Sequence, residues 1–138
     1  MSATGDVVSR RRVLVVAAIL AREGRVLLTR RAEGKHLAGL WEFPGGKVEE
    51  WETPETALAR ELREELDLEV AALSPFVFVH HDYPEARILM LVYRGRAVGE
   101  PGEATLPWRW VPVSELDPAS MPEADLPVVR ALRSEAAA

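Results

Sequence analysis

The chain has 138 residues, 48% of them hydrophobic and 28% charged, with no cysteine and a net charge of −5. That describes one globular domain able to bury its own core, and it excludes a disulfide framework, a thiol nucleophile and a thiolate metal site. The negative balance argues against polymeric nucleic acid as a partner, and no apolar run is long enough to span a bilayer, so the reading is a cytoplasmic protein with no membrane partner.

Residues 1–12 read as a polar N-terminal tail ending in Arg10-Arg11-Arg12. With the apolar run at 13–20 the tail imitates a signal peptide. The sequel argues otherwise: Arg22-Glu23-Gly24 makes a turn and residues 25–30 return as a second strand, so 13–20 is a buried strand. Residues 31–40 read as a loop, and Trp41-Glu42-Phe43 as a short extended segment leading into a turn at Pro44-Gly45-Gly46.

A helix follows. Thr53 is a good N-cap and Pro54 suits the first helical position, where its missing N–H costs nothing. Residues 57–66 are all good or tolerable helix formers. At 3.6 residues per turn Glu61, Glu64 and Glu65 fall within roughly a 100° arc, while Ala59, Leu62 and Leu66 fall on another that can face a core. Three carboxylates on one face repel one another. Read alone they make a solvated acidic face; read as a site they hold a cation, and oxygen-only ligands suit Mg²⁺ or Mn²⁺.

Beyond the helix, 76–81 and 88–93 read as strands around a turn at Tyr83-Pro84-Glu85. Residues 95–107 read as an acidic loop, 108–111 as a strand, 126–132 as a second helix and 134–138 as a frayed tail. Strands outnumber helices and parallel crossovers are few. The fold class is α+β, a mixed sheet with helices on its faces, in one domain over 13–133.

Gly46, Glu52, Arg60-Glu61-Leu62-Arg63-Glu64-Glu65 and Leu68 stand at the spacing of the Nudix box, and the chain resembles the Nudix hydrolase superfamily on that ground. One position departs: Asp67 stands where the family usually has glycine. It lies just past the helix end, where a left-handed conformation is common and aspartate tolerates it better than most residues. Arg30-Arg31, His36, the run from Leu40 to Lys47, Glu52-Thr53-Pro54-Glu55 and Ala124-Asp125-Leu126-Pro127 resemble the MutT-like branch.

The resemblance implies the Nudix fold, an α/β/α sandwich. It implies a hydrolase converting a nucleoside triphosphate such as 8-oxo-dGTP to the monophosphate and pyrophosphate, in nucleotide-pool sanitation and DNA repair. It also implies a metal shell of the Gly45 carbonyl, Glu61, Glu64 and Glu65, with Glu61 helping to activate water and Arg60 and Glu52 bracing loop and helix around the catalytic group. Glu103 matches an extra metal ligand, and Glu100 is its alternative. Arg31, His36 and Phe43 match nucleotide-binding residues, and Lys47 offers a phosphate contact.

Phe43 reads equally as core and His36 as a surface histidine. Trp108 and Trp110 read as packing, and His80-His81 as structural. Asp125 bears on the base. Relatives directed at oxidised guanine carry asparagine there and cytidine-triphosphate-directed relatives carry aspartate, so CTP or a modified dCTP is the alternative substrate; a helix cap is its plain reading. A catalytically inactive nucleotide- or protein-binding module and a dinucleotide or nucleotide-sugar hydrolase are the other readings. The chain is expected to act as a monomer or homodimer.

Overall fold

The apolar run near the N-terminus becomes the centre of the sheet. In the computed structural model, which describes residues 11–137, strand β1 spans Arg11–Arg22 and β2 spans Arg25–Arg30. Two short strands follow, β3 (Trp41–Glu42) and β4 (Gly45–Lys47), then helix α1 (Pro54–Leu66). The long strands β5 (Glu69–Tyr83) and β6 (Ala86–Val98) precede β7 (Trp108–Pro112), three 3₁₀ turns and helix α2 (Leu126–Ala137).

The sheet is mixed, in the order β3-β2-β1-β6-β5, with β4 also pairing β1 and β7 pairing β2. β1 and β6 run parallel from Arg11↔Ala86 to Leu20↔Gly95, and the other pairings are antiparallel. β1 is covered on both faces, which is why it reads as a continuous apolar run rather than an alternating one. Val16, Ala18 and Leu20 pack with Leu58, Leu62 and Leu66 of α1. Ala17 and Ile19 pack with Val128, Val129 and Leu132 of α2. The result is the expected α+β layering, helix, mixed sheet, helix.

Helix α1 starts as its sequence dictates: the Thr56 N–H donates to Thr53 Oγ1 at 3.1 Å and Pro54 opens the helix. It ends on Asp67 at φ 49°, ψ 49°, the left-handed cap expected there. Trp108 and Trp110 pack against the layer beneath α1. The His80 and His81 rings pair with Asp82 and Glu123, not with each other.

Several boundaries differ from the sequence reading. β1 begins at Arg11, inside the expected tail, whose first ten residues lie outside the described part. Gly45-Gly46 is strand rather than turn, because β4 pairs with β1 through Val16↔Gly46 and Ala17↔Gly45. β5 and β6 form a hairpin far longer than 76–81 and 88–93: Pro75 sits at a bulge on the sheet's edge strand, where its missing N–H is tolerated, so pairing continues past it. β6 likewise runs through Gly95 to Val98, residues that read as loop. Residues 134–137 belong to α2 instead of fraying.

Candidate active site

An open cavity of about 610 Å³ lies between β1, the β3–β4 segment, one face of α1, the 31–37 loop and the turn before α2. Val13, Val15 and Ala17 of β1 and Met90 of β6 contribute its apolar wall.

At its acidic end the backbone comes unusually close to a carboxylate. A Cβ on Gly46 would overlap the Glu61 carboxylate, and one on Gly45 would overlap the Val16 carbonyl across the β1–β4 pairing. Glycine at both positions lets the strand lie flat on β1 beneath α1. Glu61 and Glu65, one turn apart on α1, both reach this wall. Burial raises the Glu61 carboxyl above its ordinary range, Arg60 opposing and Glu64 adding to the effect. Burial likewise pushes Glu65 up to about 8, with the charges of Glu61 and Glu42 adding to it.

Glu64 and Arg60 behave differently. Arg60 grips Glu52 with two hydrogen bonds, Nε to Oε2 at 2.5 Å and Nη2 to Oε1 at 2.8 Å. It also donates to the Lys47 carbonyl at 3.2 Å and to Glu64 at 3.1 Å. The hydrogen bond from Arg60 holds Glu52 below the usual carboxylate range. Arg60 therefore fastens the box loop to the helix and is absent from the cavity wall. Glu64, its side chain 60% exposed, points to Arg60 and also lies off the wall.

The two candidates for an extra ligand are placed elsewhere. Glu100 accepts from Trp110 Nε1 at 2.9 Å and pairs with Arg22, which stacks on the Trp110 ring. Glu103 is exposed and off the cavity wall; its backbone N–H donates to Asp67 Oδ2 at 3.1 Å. Here the departure from glycine at the box has a structural role. The Gly102 N–H also donates to the Leu66 carbonyl, and the Thr105 N–H to the Glu65 carbonyl at 2.8 Å, so the acidic loop is seated on the end of α1. A Cβ on Gly102 would overlap the Asp67 carboxylate. The glycine missing at the cap is matched by a glycine in the loop that receives the cap's side chain.

At the other end of the cavity Asp125 is 4% exposed, in the 3₁₀ turn Glu123–Asp125. Burial pushes its carboxyl well above the ordinary value, and the charge of Glu42 adds to this. The Phe43 backbone N–H and Arg31 oppose it. Its Oδ2 has no hydrogen-bond partner among the described residues. Phe43 is a core residue, 3% exposed, that also presents part of the cavity wall. Arg31 is committed: Nη1 donates to both Glu42 oxygens at 3.1 and 3.3 Å, and Nε to the His36 carbonyl at 2.7 Å. His36 Nε2 lies 2.9 Å from Glu85. Lys47 lines the cavity beside the acidic end.

Glu42 is the residue that sequence reasoning missed. It is a part-buried carboxylate whose charge reaches both Glu65 and Asp125, and burial raises it despite Arg31. Its partner is eleven residues away across the β2–β3 loop, so no local spacing signalled it. Among the described residues no three carboxylate, imidazole or thiol groups converge into a ready-made metal shell. The oxygen donors present, the Glu61 and Glu65 carboxylates and the Gly45 carbonyl, nonetheless fit a hard divalent cation. Such an ion would offset the burial, and the repulsion from Glu61 and Glu42, that raise Glu65.

Residues 15–131 match the NUDIX domain family. The chain belongs to the Nudix family. It is similar to the 8-oxo-dGTP diphosphatase of Escherichia coli K12, 34% identical over 122 residues, covering 87% of this chain and 95% of that protein. It is also similar to the CTP pyrophosphohydrolase of the same organism, 49% identical over 77 residues, 56% of each chain. The solution structure of the E. coli ORF135 protein superposes with a TM-score of 0.79 at 32% identity, over 94% of each chain. The protein is a Nudix hydrolase of the MutT-like kind, with the fold of its relatives. Among the described residues no helix is long and apolar enough to cross a membrane.

Proposed function

We propose that this Nudix hydrolase uses Mg²⁺ to hydrolyse an oxidised deoxynucleoside triphosphate such as 8-oxo-dGTP. Water and the triphosphate would give the monophosphate and pyrophosphate, as part of nucleotide-pool sanitation and DNA repair in the cytoplasm. The observation that carries the reading is the pairing in one cavity of an acidic end, Glu61 and Glu65, with a buried Asp125 whose Oδ2 is uncommitted.

The Gly45 carbonyl, Glu61 and Glu65 would hold the ion, and Glu64 would join them by leaving Arg60. A bound divalent ion supplies charge neutralisation for phosphate oxygens and polarisation of a bound water. Glu61, its carboxyl raised by burial, orients the attacking water and takes its proton. Arg60 and Glu52 hold the loop that presents Gly45. Lys47 meets phosphate, and His36 closes the side wall.

The protonation state of Asp125 selects the base. Burial raises the Asp125 carboxyl well above its ordinary value and so favours the neutral form, which offers an O–H donor and a carbonyl acceptor, as asparagine does. The imidazole edge of guanine presents two acceptors, O6 and N7. In 8-oxoguanine N7 carries a proton, so the edge becomes one acceptor and one donor and matches a neutral carboxyl. A second reading is a cytosine nucleotide. It is favoured by the 49% identity to the CTP pyrophosphohydrolase, and the N4 amino group and N3 of cytosine also offer a donor and an acceptor.

Steady-state hydrolysis of dGTP, 8-oxo-dGTP, CTP and dCTP with Mg²⁺, by wild type and Asp125→Asn, tests both. The oxidised-guanine reading requires kcat/KM for 8-oxo-dGTP to exceed that for dGTP about tenfold or more, roughly 1.4 kcal/mol. Asp125→Asn, which keeps one donor and one acceptor, should retain that preference. A preference for the cytosine nucleotides would establish the second reading. Hydrolysis of none of them, with Glu61→Gln equally silent, would defeat the triphosphatase reading.

A further inference from the structure

Tyr83 ends β5 at the mouth of the cavity, where three chain segments meet. Its hydroxyl oxygen accepts the Ala124 N–H at 3.0 Å. Ala124 is in the 3₁₀ turn that carries Asp125, just ahead of α2. Backbone donors at the start of a helix have no intrahelical partner and must find one elsewhere. The Tyr83 ring stands edge-on to His36, with centroids 5.4 Å apart, and to His81 at 4.5 Å. His36 is in turn tied to Glu85 of the same hairpin. The mouth loop, the β5–β6 hairpin and the turn bearing Asp125 are thus locked together through one phenol.

Among the described residues the Phe43 N–H holds the Asp125 carboxyl while its Oδ2 is left without a hydrogen bond, so the direction of that oxygen depends on the backbone that carries it. We propose that Tyr83 is a positioning residue for base choice: its hydroxyl fixes the Ala124–Asp125 turn and so aims the Asp125 carboxyl at the base. This rests on the reading of Asp125 as the base-recognising group. A phenylalanine would keep the ring and its contacts with His36 and His81 while releasing Ala124, so the hydroxyl alone carries the effect.

The test is a double-mutant cycle with Tyr83→Phe and Asp125→Ala, read as the ratio of kcat/KM between the preferred and least preferred triphosphates. Tyr83→Phe should lower that ratio roughly fivefold, the contribution of one neutral hydrogen bond, with the loss appearing in KM rather than kcat. In the Asp125→Ala background it should change the ratio no further, because positioning acts only through the group positioned. If Asp125→Ala flattens the ratio and Tyr83→Phe leaves it within about twofold of wild type, the inference is wrong and the reading of Asp125 stands. An equal effect of Tyr83→Phe in both backgrounds also overturns it. If Asp125→Ala leaves the ranking of bases unchanged, the reading of Asp125 fails and the role of Tyr83 falls with it.

Discussion

Replacing Glu65 by glutamine should make the metal-free protein more stable at alkaline pH and leave it unchanged in acid. Below pH 4.5 the Glu65 carboxyl is protonated in both the folded and the unfolded chain. Between 4.5 and about 8 the unfolded chain releases that proton while the native chain retains it. Native stability therefore falls as pH rises through that window, by about 1.4 kcal/mol per pH unit, and levels off above it. The whole window sets a ceiling of roughly 5 kcal/mol. Glu65 is only part-buried and solvent screens it, so about 2 kcal/mol is the working figure. That corresponds to a rise of roughly 6 °C in Tm for a domain of this size. Urea denaturation in EDTA near pH 4, 6 and 8 measures it: wild type and Glu65→Gln should coincide at the lowest pH and diverge toward the highest, the variant being the more stable. Mg²⁺ should then stabilise wild type more than the variant, since ion binding to the native state favours it by mass action. A stability difference that stays constant across pH would refute the claim that the folded protein holds this proton.

Glu61→Gln should lower kcat by about a hundredfold or more without loss of fold. Glu64→Gln should chiefly raise the Mg²⁺ concentration needed for half-maximal rate, since Glu64 lies off the cavity wall on Arg60; steady-state rates titrated with Mg²⁺ separate the two. Gly102→Ala should cost roughly 1–3 kcal/mol through overlap with the Asp67 carboxylate, and Asp67→Gly should relieve most of that cost. Chemical denaturation of the four proteins of that cycle checks it, and additivity within about 0.5 kcal/mol would show that the two residues do not compete for space.

The helix and its chemistry were legible in the sequence because they are local. Thr53, Pro54 and the left-handed Asp67 set the limits of α1 by interactions spanning a few residues, and a 3.6-residue period places Glu61 and Glu65 on one face whatever the rest of the chain does. The apolar 13–20 run could likewise be assigned to a buried strand, because only burial on both faces tolerates such a run without alternation. The ends of the strands were not legible. Pro75 and Gly95 look like breaks along the chain, yet pairing with a neighbour holds the backbone extended through both.

The division of labour within the acidic cluster was also hidden, since it depends on partners far apart in sequence. Arg60 is held off the cavity wall by Glu52, and Glu64 pairs with it there. Glu42 enters the site because Arg31, across a loop, helps to hold its part-buried charge. Sequence spacing alone determined which residues share a helix face and which kind of ion they suit. Only the tertiary structure decided which carboxylates lose their water and which keep it, because desolvation depends on what the other chain segments pack against them. That difference sets Glu65 and Asp125 apart from Glu64 and Glu103.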